Sequence, residues 1–186
     1  MGHRLADDAL AELARTRGKD LTAYAYVMTG DLAAAQDLVQ EALLKVFLRT
    51  RNGFSPDVAE AYVRRSITTL YIDGFRRRRH ARSVEHLFRP EEVHEPIAVA
   101  ERRMDMLAAL ATLSPRERAS VVLTYYQGFG TAEVAEQLNL APGTVKRYLS
   151  NARQKLELRL GPLPDPRESS AVRTLTPPDE PRGRTS

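Results

Sequence analysis

The stretch Gly130 to Leu156, GTAEVAEQLNLAPGTVKRYLSNARQKL, decides how this chain folds. Val134, Ala135 and Leu138 make one apolar stripe, and Val145, Leu149, Ala152 and Leu156 make a second, each at helical spacing. Asn139 lies between them and tolerates the left-handed backbone that a three- or four-residue turn needs. The pattern predicts two short helices joined by a tight turn. Thr131 is expected to cap the first, with Glu133 in its first turn where the helix dipole favours an anion. The second starts less conventionally: Ala141 occupies the N-cap, where a side-chain oxygen is preferred, while Pro142 suits the N1 position. At about 100° per residue, Arg147, Ser150, Asn151 and Gln154 project opposite Val145, Leu149 and Ala152, with Lys146 on the flank. That outer face carries donors and no carboxylate. Arg and Lys suit guanine edges or phosphates, Asn and Gln suit adenine, and Ser suits either, so the face fits a DNA major groove. An ordinary hairpin with a solvated polar face is the alternative; turn chemistry, two packing stripes and the missing carboxylates together favour the DNA-reading one.

The chain around this stretch has 186 residues, 42% of them hydrophobic, enough for one domain or two small ones with real cores. A formal charge of +4 permits a polyanionic partner without demanding one. With no cysteine, disulfides, thiol catalysis and cysteine-ligated zinc are excluded. His3, His80, His86 and His94 have no metal-ligand spacing, and no cofactor or metal is expected. No apolar run approaches the roughly 20 residues a membrane span needs, and there is no signal-peptide pattern, so a soluble cytoplasmic protein is expected. Helical periodicity recurs throughout, and the expected class is all-α, two small helical domains joined by a flexible linker.

In the N-terminal half, Leu5 to Arg17 predicts a helix ending at Gly18, with Leu10 and Leu13 inward. Leu21, Tyr24, Ala25 and Met28 stripe a second helix that Gly30 terminates, and Asp31 caps the next. That next helix, Leu32 to about Thr50, turns Leu32, Ala35, Val39, Ala42, Leu43, Val46 and Phe47 to a core. Its opposite face mixes Asp37, Gln40 and Glu41 with Leu44 and Leu48, a composition used to dock a partner as well as one found on solvated surfaces. After a loop at Arg51 to Phe54, Ser55 caps a helix with Pro56 at N1. Tyr62, Val63, Ser66, Ile67, Leu70 and Gly74 form its inner face, and Arg65, Thr68, Thr69, Ile72 and Arg76 point elsewhere. It runs into Arg76, Arg77, Arg78 and Arg79, more cations than a helix C-terminus needs, and so reads as a phosphate-binding end. Phe54 and Tyr62 nearby offer stacking surfaces for unpaired bases.

Residues 81–98 have poor periodicity, with Pro90, Pro96 and four glutamates, and read as a linker between domains 1–80 and 99–160. Val99, Arg103, Met106, Leu107 and Leu110 begin the second domain. Leu113-Ser114-Pro115-Arg116-Glu117 then supplies a capping box, with Ala119, Val122, Leu123 and Tyr126 as the core face behind it. Residues 161–186 hold six of the chain's eleven prolines and read as a disordered tail.

These residues together resemble the extracytoplasmic-function (ECF) family of bacterial RNA polymerase sigma factors, from about Leu21 to Leu160. MTGDLAAAQDLVQEALLKVF looks like the family's region 2.1 to 2.2, AYVRRSITTLYIDGFRRRR like regions 2.3 to 2.4, and LSPRERASVVLTYYQGFGTAEVAEQLNLAPGTVKRYLSNARQKL like region 4. The run TTLY with the following arginines is similar to an actinobacterial, SigE-like subgroup. The resemblance implies a subunit without catalysis that binds core RNA polymerase and directs initiation at promoters. Asp37, Gln40, Glu41 and Leu44 would grip the clamp helices of the largest subunit. Asn52, Phe54, Tyr62, Arg65, Thr69 and Arg76 to Arg79 would open the minus-10 element and hold a flipped base. Thr144, Lys146, Arg147, Ser150, Asn151, Arg153 and Gln154 would read the minus-35 element, with region 4 touching the polymerase flap, and an anti-sigma factor is a further implied partner. Thr69 stands where many members have Asn, Tyr62 where Trp is common, Ala141 where Ser is usual and Asn151 where Arg is frequent, departures that bear on which promoter is read.

Three other classes of protein share parts of these patterns. A LuxR-type helix-turn-helix regulator shares the LSxRE and TVK patterns, but its receiver domain would need parallel strands and a phosphorylatable Asp at a strand end. A sigma mimic that sequesters an anti-sigma factor would have no use for Arg76 to Arg79 or the donors around Arg147. An enzyme, for example a nucleic-acid-processing one, could bind metal at Asp37 and Glu41, yet no base, nucleophile or phosphate loop accompanies them.

Overall fold

The computed structural model describes residues 2–49, 56–80 and 97–163, and the side chains of 11–48, 58–74 and 101–163. The described residues are helical throughout, as the periodicity predicts: α1 (Gly2–Thr29), α2 (Leu32–Arg49), α3 (Pro56–His80), α4 (Ile97–Ala111), α5 (Pro115–Val121), a π-helical turn (Val122–Tyr126), α6 (Thr131–Leu138) and α7 (Pro142–Leu160). No strand occurs among the described residues.

α1, α2 and α3 pack against one another around Leu21, Tyr24, Met28, Val39, Val63 and Ile67. α1 is one helix where two were expected. Gly18 does not break it, because Leu13 and Leu21 lie on one continuous stripe, and burying both outweighs the roughly 1 kcal/mol a mid-helix glycine costs. A glycine terminates a helix by turning left-handed, which Gly30 does at φ 75°. Asp31 then caps α2 through its Oδ1, which accepts from the Ala34 N–H at 2.7 Å. Three side chains depart from the expected faces. Thr68, expected to point away, is buried and shares a 2.7 Å hydrogen bond with the Tyr24 hydroxyl. Tyr62 and Phe47, expected inward, are 50% and 38% exposed, since Leu38 and Tyr71 take the core positions instead. Tyr24 is fully buried, and its phenol completes a polar pair that a helical-wheel count cannot foresee.

In the second domain Ser114 and Glu117 form the expected reciprocal box. The Ser114 N–H donates to Glu117 Oε2 at 2.8 Å, and the Glu117 N–H donates to Ser114 Oγ at 3.4 Å. Lys155 of α7 donates to the same carboxylate at 2.7 Å, tying the start of α5 to α7. Burial pushes the Glu117 carboxyl up, but the bonds from Lys155 and Ser114 outweigh it and hold the group below its ordinary range. A depressed carboxyl contributes stability above its unfolded value, lost as pH falls through the folded one. Ser114→Ala should cost about 1 kcal/mol, read as a lower urea midpoint with unchanged slope; an unchanged midpoint would show that the Ser114 hydroxyl adds nothing to the cap beyond the bonds Glu117 makes to the Ser114 N–H and to Lys155.

α6 begins at Thr131 with Gly130 as N-cap, one residue before the expected cap. Glu133 closes the turn from the third position: its Oε2 accepts from the Gly130 N–H at 2.7 Å, and Thr131 becomes the first helical residue. Asn139 is left-handed at φ 51°, ψ 56°, and Ala141 caps α7 with no side-chain bond ahead of Pro142, as expected. α7 belongs to two cores. Val145 packs with Leu123, Val134 and Ala135, whereas Ala152 and Leu156 pack with Ala109, Leu110 and Leu113.

The two domains meet along a seam. Arg118 of α5, 4% exposed, donates from Nε to the Val27 carbonyl at 2.9 Å. Val27 lies in the last turn of α1, where carbonyls lack helical partners and the dipole favours a cation. The π-helical turn carries Tyr126 to within 5.9 Å of Tyr24, ring centre to ring centre and tilted by 37°. Its first residue, Val122, is buried in the core of the first domain.

Candidate polymerase and promoter interfaces

The outer face of α7 is continuous. Lys146, Arg147, Ser150, Asn151 and Gln154 are all exposed, and Thr144 is half-buried at the start of the helix. The Asn139 turn sets this helix across α6, and Val145 and Leu149 anchor it from beneath, so the donors stand on a rigid support. The Arg147 guanidinium lies 5.9 Å from the Tyr148 ring centre, a cation–π contact that restrains it near the N-terminal end of the helix. Arg153 stands apart from the others. Its Nε donates to Glu157 Oε1 and its Nη2 to the Leu163 carbonyl, both at 2.8 Å. It is six residues on from Arg147, about 240° around the helix, and faces α4 and the chain's exit from α7.

On α2, Asp37, Gln40, Glu41, Leu44 and Leu48 are all exposed and follow the i, i+3, i+4, i+7, i+11 spacing of one stripe. Leu44 is 62% exposed and Leu48 74%, so two leucines stand in water beside three polar side chains. The core is filled without them, by Ala35, Leu38, Val39, Ala42 and Val46 on the opposite side.

The α3 stripe is the third surface. Tyr62, Arg65 and Thr69 are exposed at i, i+3 and i+7, and the Thr69 hydroxyl donates to the Arg65 carbonyl at 2.9 Å. The helix continues through Arg76 to Arg79, and its register returns position 76 to the same stripe. The side chains of Arg76, Arg77, Arg78 and Arg79 lie outside the described ones, as do residues Asn52 and Phe54 altogether. Three surfaces on one chain thus divide by chemistry: a cationic-amide helix face, a stripe leading to an arginine run, and an acidic-amide ridge with exposed leucines. Sequence reasoning missed the residues of the seam. Arg118 sits in a polar position of α5, and nothing in its neighbours signals burial.

Helices arranged as a three-helix unit and a helix-turn-helix unit, each with a nucleic-acid-type surface, define a class of two-domain DNA-binding proteins. The comparisons narrow it. Residues 13–81 match the model of Sigma-70 region 2, and residues 103–156 that of Sigma-70, region 4. The ECF RNA polymerase sigma factor SigL of Mycobacterium tuberculosis is 34% identical over 142 residues, 74% of this chain and 80% of that protein. The RNA polymerase sigma-E factor of Streptomyces coelicolor is 31% identical over 153 residues, 80% of this chain and 84% of that one. The ECF RNA polymerase sigma factor SigE of Mycolicibacterium smegmatis is 30% identical over 165 residues, and there the match spans 63% of the relative's length. The chain belongs to the ECF family of RNA polymerase sigma factors. Among solved structures, the sigma factor RpoE from Bartonella quintana, co-crystallised with the anti-sigma factor NepR, shares the fold at a TM-score of 0.60 and 22% identity, over 76% of this chain and 90% of that one. CnrH in complex with the cytosolic domain of CnrY does so at 0.55 and 22%, over 84% and 95%. Among the described residues no helix is long and apolar enough to cross a membrane.

Proposed function

We propose that this chain is a dissociable promoter-specificity subunit that performs no chemistry and acts in the cytoplasm, lending core RNA polymerase two DNA-reading surfaces and a melting wedge. The observation that carries the reading is the coexistence on one chain of the carboxylate-free α7 face and the α2 ridge with its exposed leucines. The ridge docks the clamp helices of the largest subunit through Asp37, Gln40, Glu41 and Leu44. Tyr62, Arg65 and Thr69, with Asn52, Phe54 and the arginines 76–79, engage the minus-10 element and hold an unpaired base. Lys146, Arg147, Ser150, Asn151 and Gln154 read the minus-35 element, while Thr144 at the start of α7 contacts phosphate and region 4 touches the flap. Arg153, committed to Glu157 and Leu163, positions the end of α7 in this reading. An anti-sigma factor is a further partner, supported by the complexes in which RpoE and CnrH were solved.

A receiver-type regulator finds no support, because the front half is a three-helix unit without strands among the described residues. Run-off transcription with purified core polymerase on fragmented genomic DNA tests the proposal: specific start sites that depend on the added chain are expected, and their absence would sink it. Arg147→Ala should lower discrimination at the upstream element by about 1–3 kcal/mol, seen as a changed base preference across a promoter library. A profile matching the parent's would remove Arg147 from direct readout.

A further inference from the structure

We infer that the second domain carries an apolar groove on the side of α7 away from the donor face, and that residues Ala171 to Leu175 of this same chain dock in it. The groove, about 440 Å³, is walled by Met106 and Leu110 of α4, Tyr125 of the π-helical turn, and Leu149, Leu156 and Leu160 of α7. That volume lies within the roughly 300–1,000 Å³ of clefts that bury a bound group. Met106 is 45% exposed and Tyr125 51%, so the walls stand open to water. On α7 the wall residues fall about 180–220° around the helix from Arg147. A segment seated there leaves Arg147, Asn151 and Gln154 uncovered.

The chain delivers its own next segment to the groove. Gly161 ends α7 with φ 80°, and Leu163 packs back onto the cluster that holds Leu110 and Leu156. A Cβ at position 161 would meet nothing within 4 Å, so glycine serves there for its backbone and not for space. Arg153 holds the reversal, donating from Nη2 to the Leu163 carbonyl at 2.8 Å while Glu157 fixes its Nε. Leu163 thereby becomes part of the groove wall, and residue 164 departs from the groove's own rim. Apart from prolines, the apolar side chains of residues 164–186 are Ala171, Val172 and Leu175. Val172 and Leu175 have the spacing that puts two side chains on one face of a helical turn. The eight residues from Leu163 to Ala171 can reach about 26 Å, whereas the α7 wall from Leu149 to Leu160 is only about 17 Å long. A segment tethered this closely competes at an effective concentration of about millimolar, which favours it over a second copy or a separate protein at micromolar amounts. A protein partner that needs the groove must displace the segment, while duplex binding by α7 proceeds with it seated.

The chain contains no cysteine, so an introduced pair reports its own encounter. In the full chain at micromolar concentration, Met106→Cys and Thr174→Cys should form an intramolecular disulfide under oxidised glutathione. Adding Val172→Ser and Leu175→Ser should slow that pairing at least about tenfold, because the thiols then meet only by diffusion of the tether. The serines leave the tether length and charge unchanged, and circular dichroism checks that helicity matches the parent. As a second measurement, a fluorescent peptide of residues 164–178 should bind the otherwise native chain carrying Val172→Ser and Leu175→Ser at least about tenfold more tightly than it binds the parent, whose own segment fills the groove. Equal pairing rates with and without the serines would overturn the docking. So would equal peptide binding by the two chains. A disulfide found only between two chains would assign the groove to a second copy and overturn the proposal as well. Each readout is taken on the free protein, so none depends on whether the chain supports run-off transcription.

Discussion

Asp37→Ala combined with Leu44→Ala should weaken binding to core polymerase by at least about thirtyfold, because truncated hot-spot residues cost about 2 kcal/mol or more. The ridge has the composition of an interface centre: leucines that water would rather not cover, ringed by side chains able to accept and donate. Asp37 and Leu44 sit seven residues apart, two turns along the same stripe, and a single groove between partner helices would cover both. Neither touches the core, so the fold should lose no more than about 0.5 kcal/mol. That separation of effects is the measurement. Equilibrium binding to core polymerase should collapse while the thermal transition stays in place. Undiminished binding would move the docking surface elsewhere, and a lowered transition would show that the ridge supports the domain.

Tyr24→Ala should have the largest effect on stability. The side chain is fully buried where all three helices of the first domain meet, and removing such a ring costs about 3–5 kcal/mol, a large part of the roughly 5–15 kcal/mol that holds a domain together. Tyr24→Phe should cost only about 1 kcal/mol, since Thr68 keeps its bond to the Arg64 carbonyl. The hydroxyl also sets an alkaline limit. Burial pushes the phenol from 10.0 up to about 12, opposed by the Thr68 hydrogen bond and the Arg64 charge and aided by Tyr126. For a group raised on folding, the contribution is complete below the unfolded value near 10 and is lost as pH climbs from there to about 12. The loss is on the order of 3 kcal/mol. Urea midpoints at about pH 9 and about pH 12, compared between the parent and Tyr24→Phe, isolate it. Parallel declines would show that the phenol ionises as freely in the folded state as in the unfolded chain.

The amino-acid sequence by itself determined what depends on neighbours within a turn or two. Asn139 specified the left-handed turn, Ser114 and Glu117 the start of α5, Gly30 and Asp31 the joint between α1 and α2, and the periodicity the outer faces of α2 and α7, because each rests on local backbone chemistry or on a 100° repeat. It misjudged Gly18, since a stop signal is local while the burial that overrides it comes from α2 and α3. It misplaced the cap of α6 by one residue, since Glu133 reaches back to the Gly130 N–H and draws Thr131 into the first turn of the helix. Only the tertiary structure decided that Thr68 is buried against Tyr24, that Arg153 turns from the donor face toward Leu163, and that Arg118 reaches the last turn of α1, 91 residues away in sequence. The Thr68 and Arg118 contacts join parts of the chain that no window of sequence contains, and the energies of all three depend on desolvation, which exists only once the helices have packed.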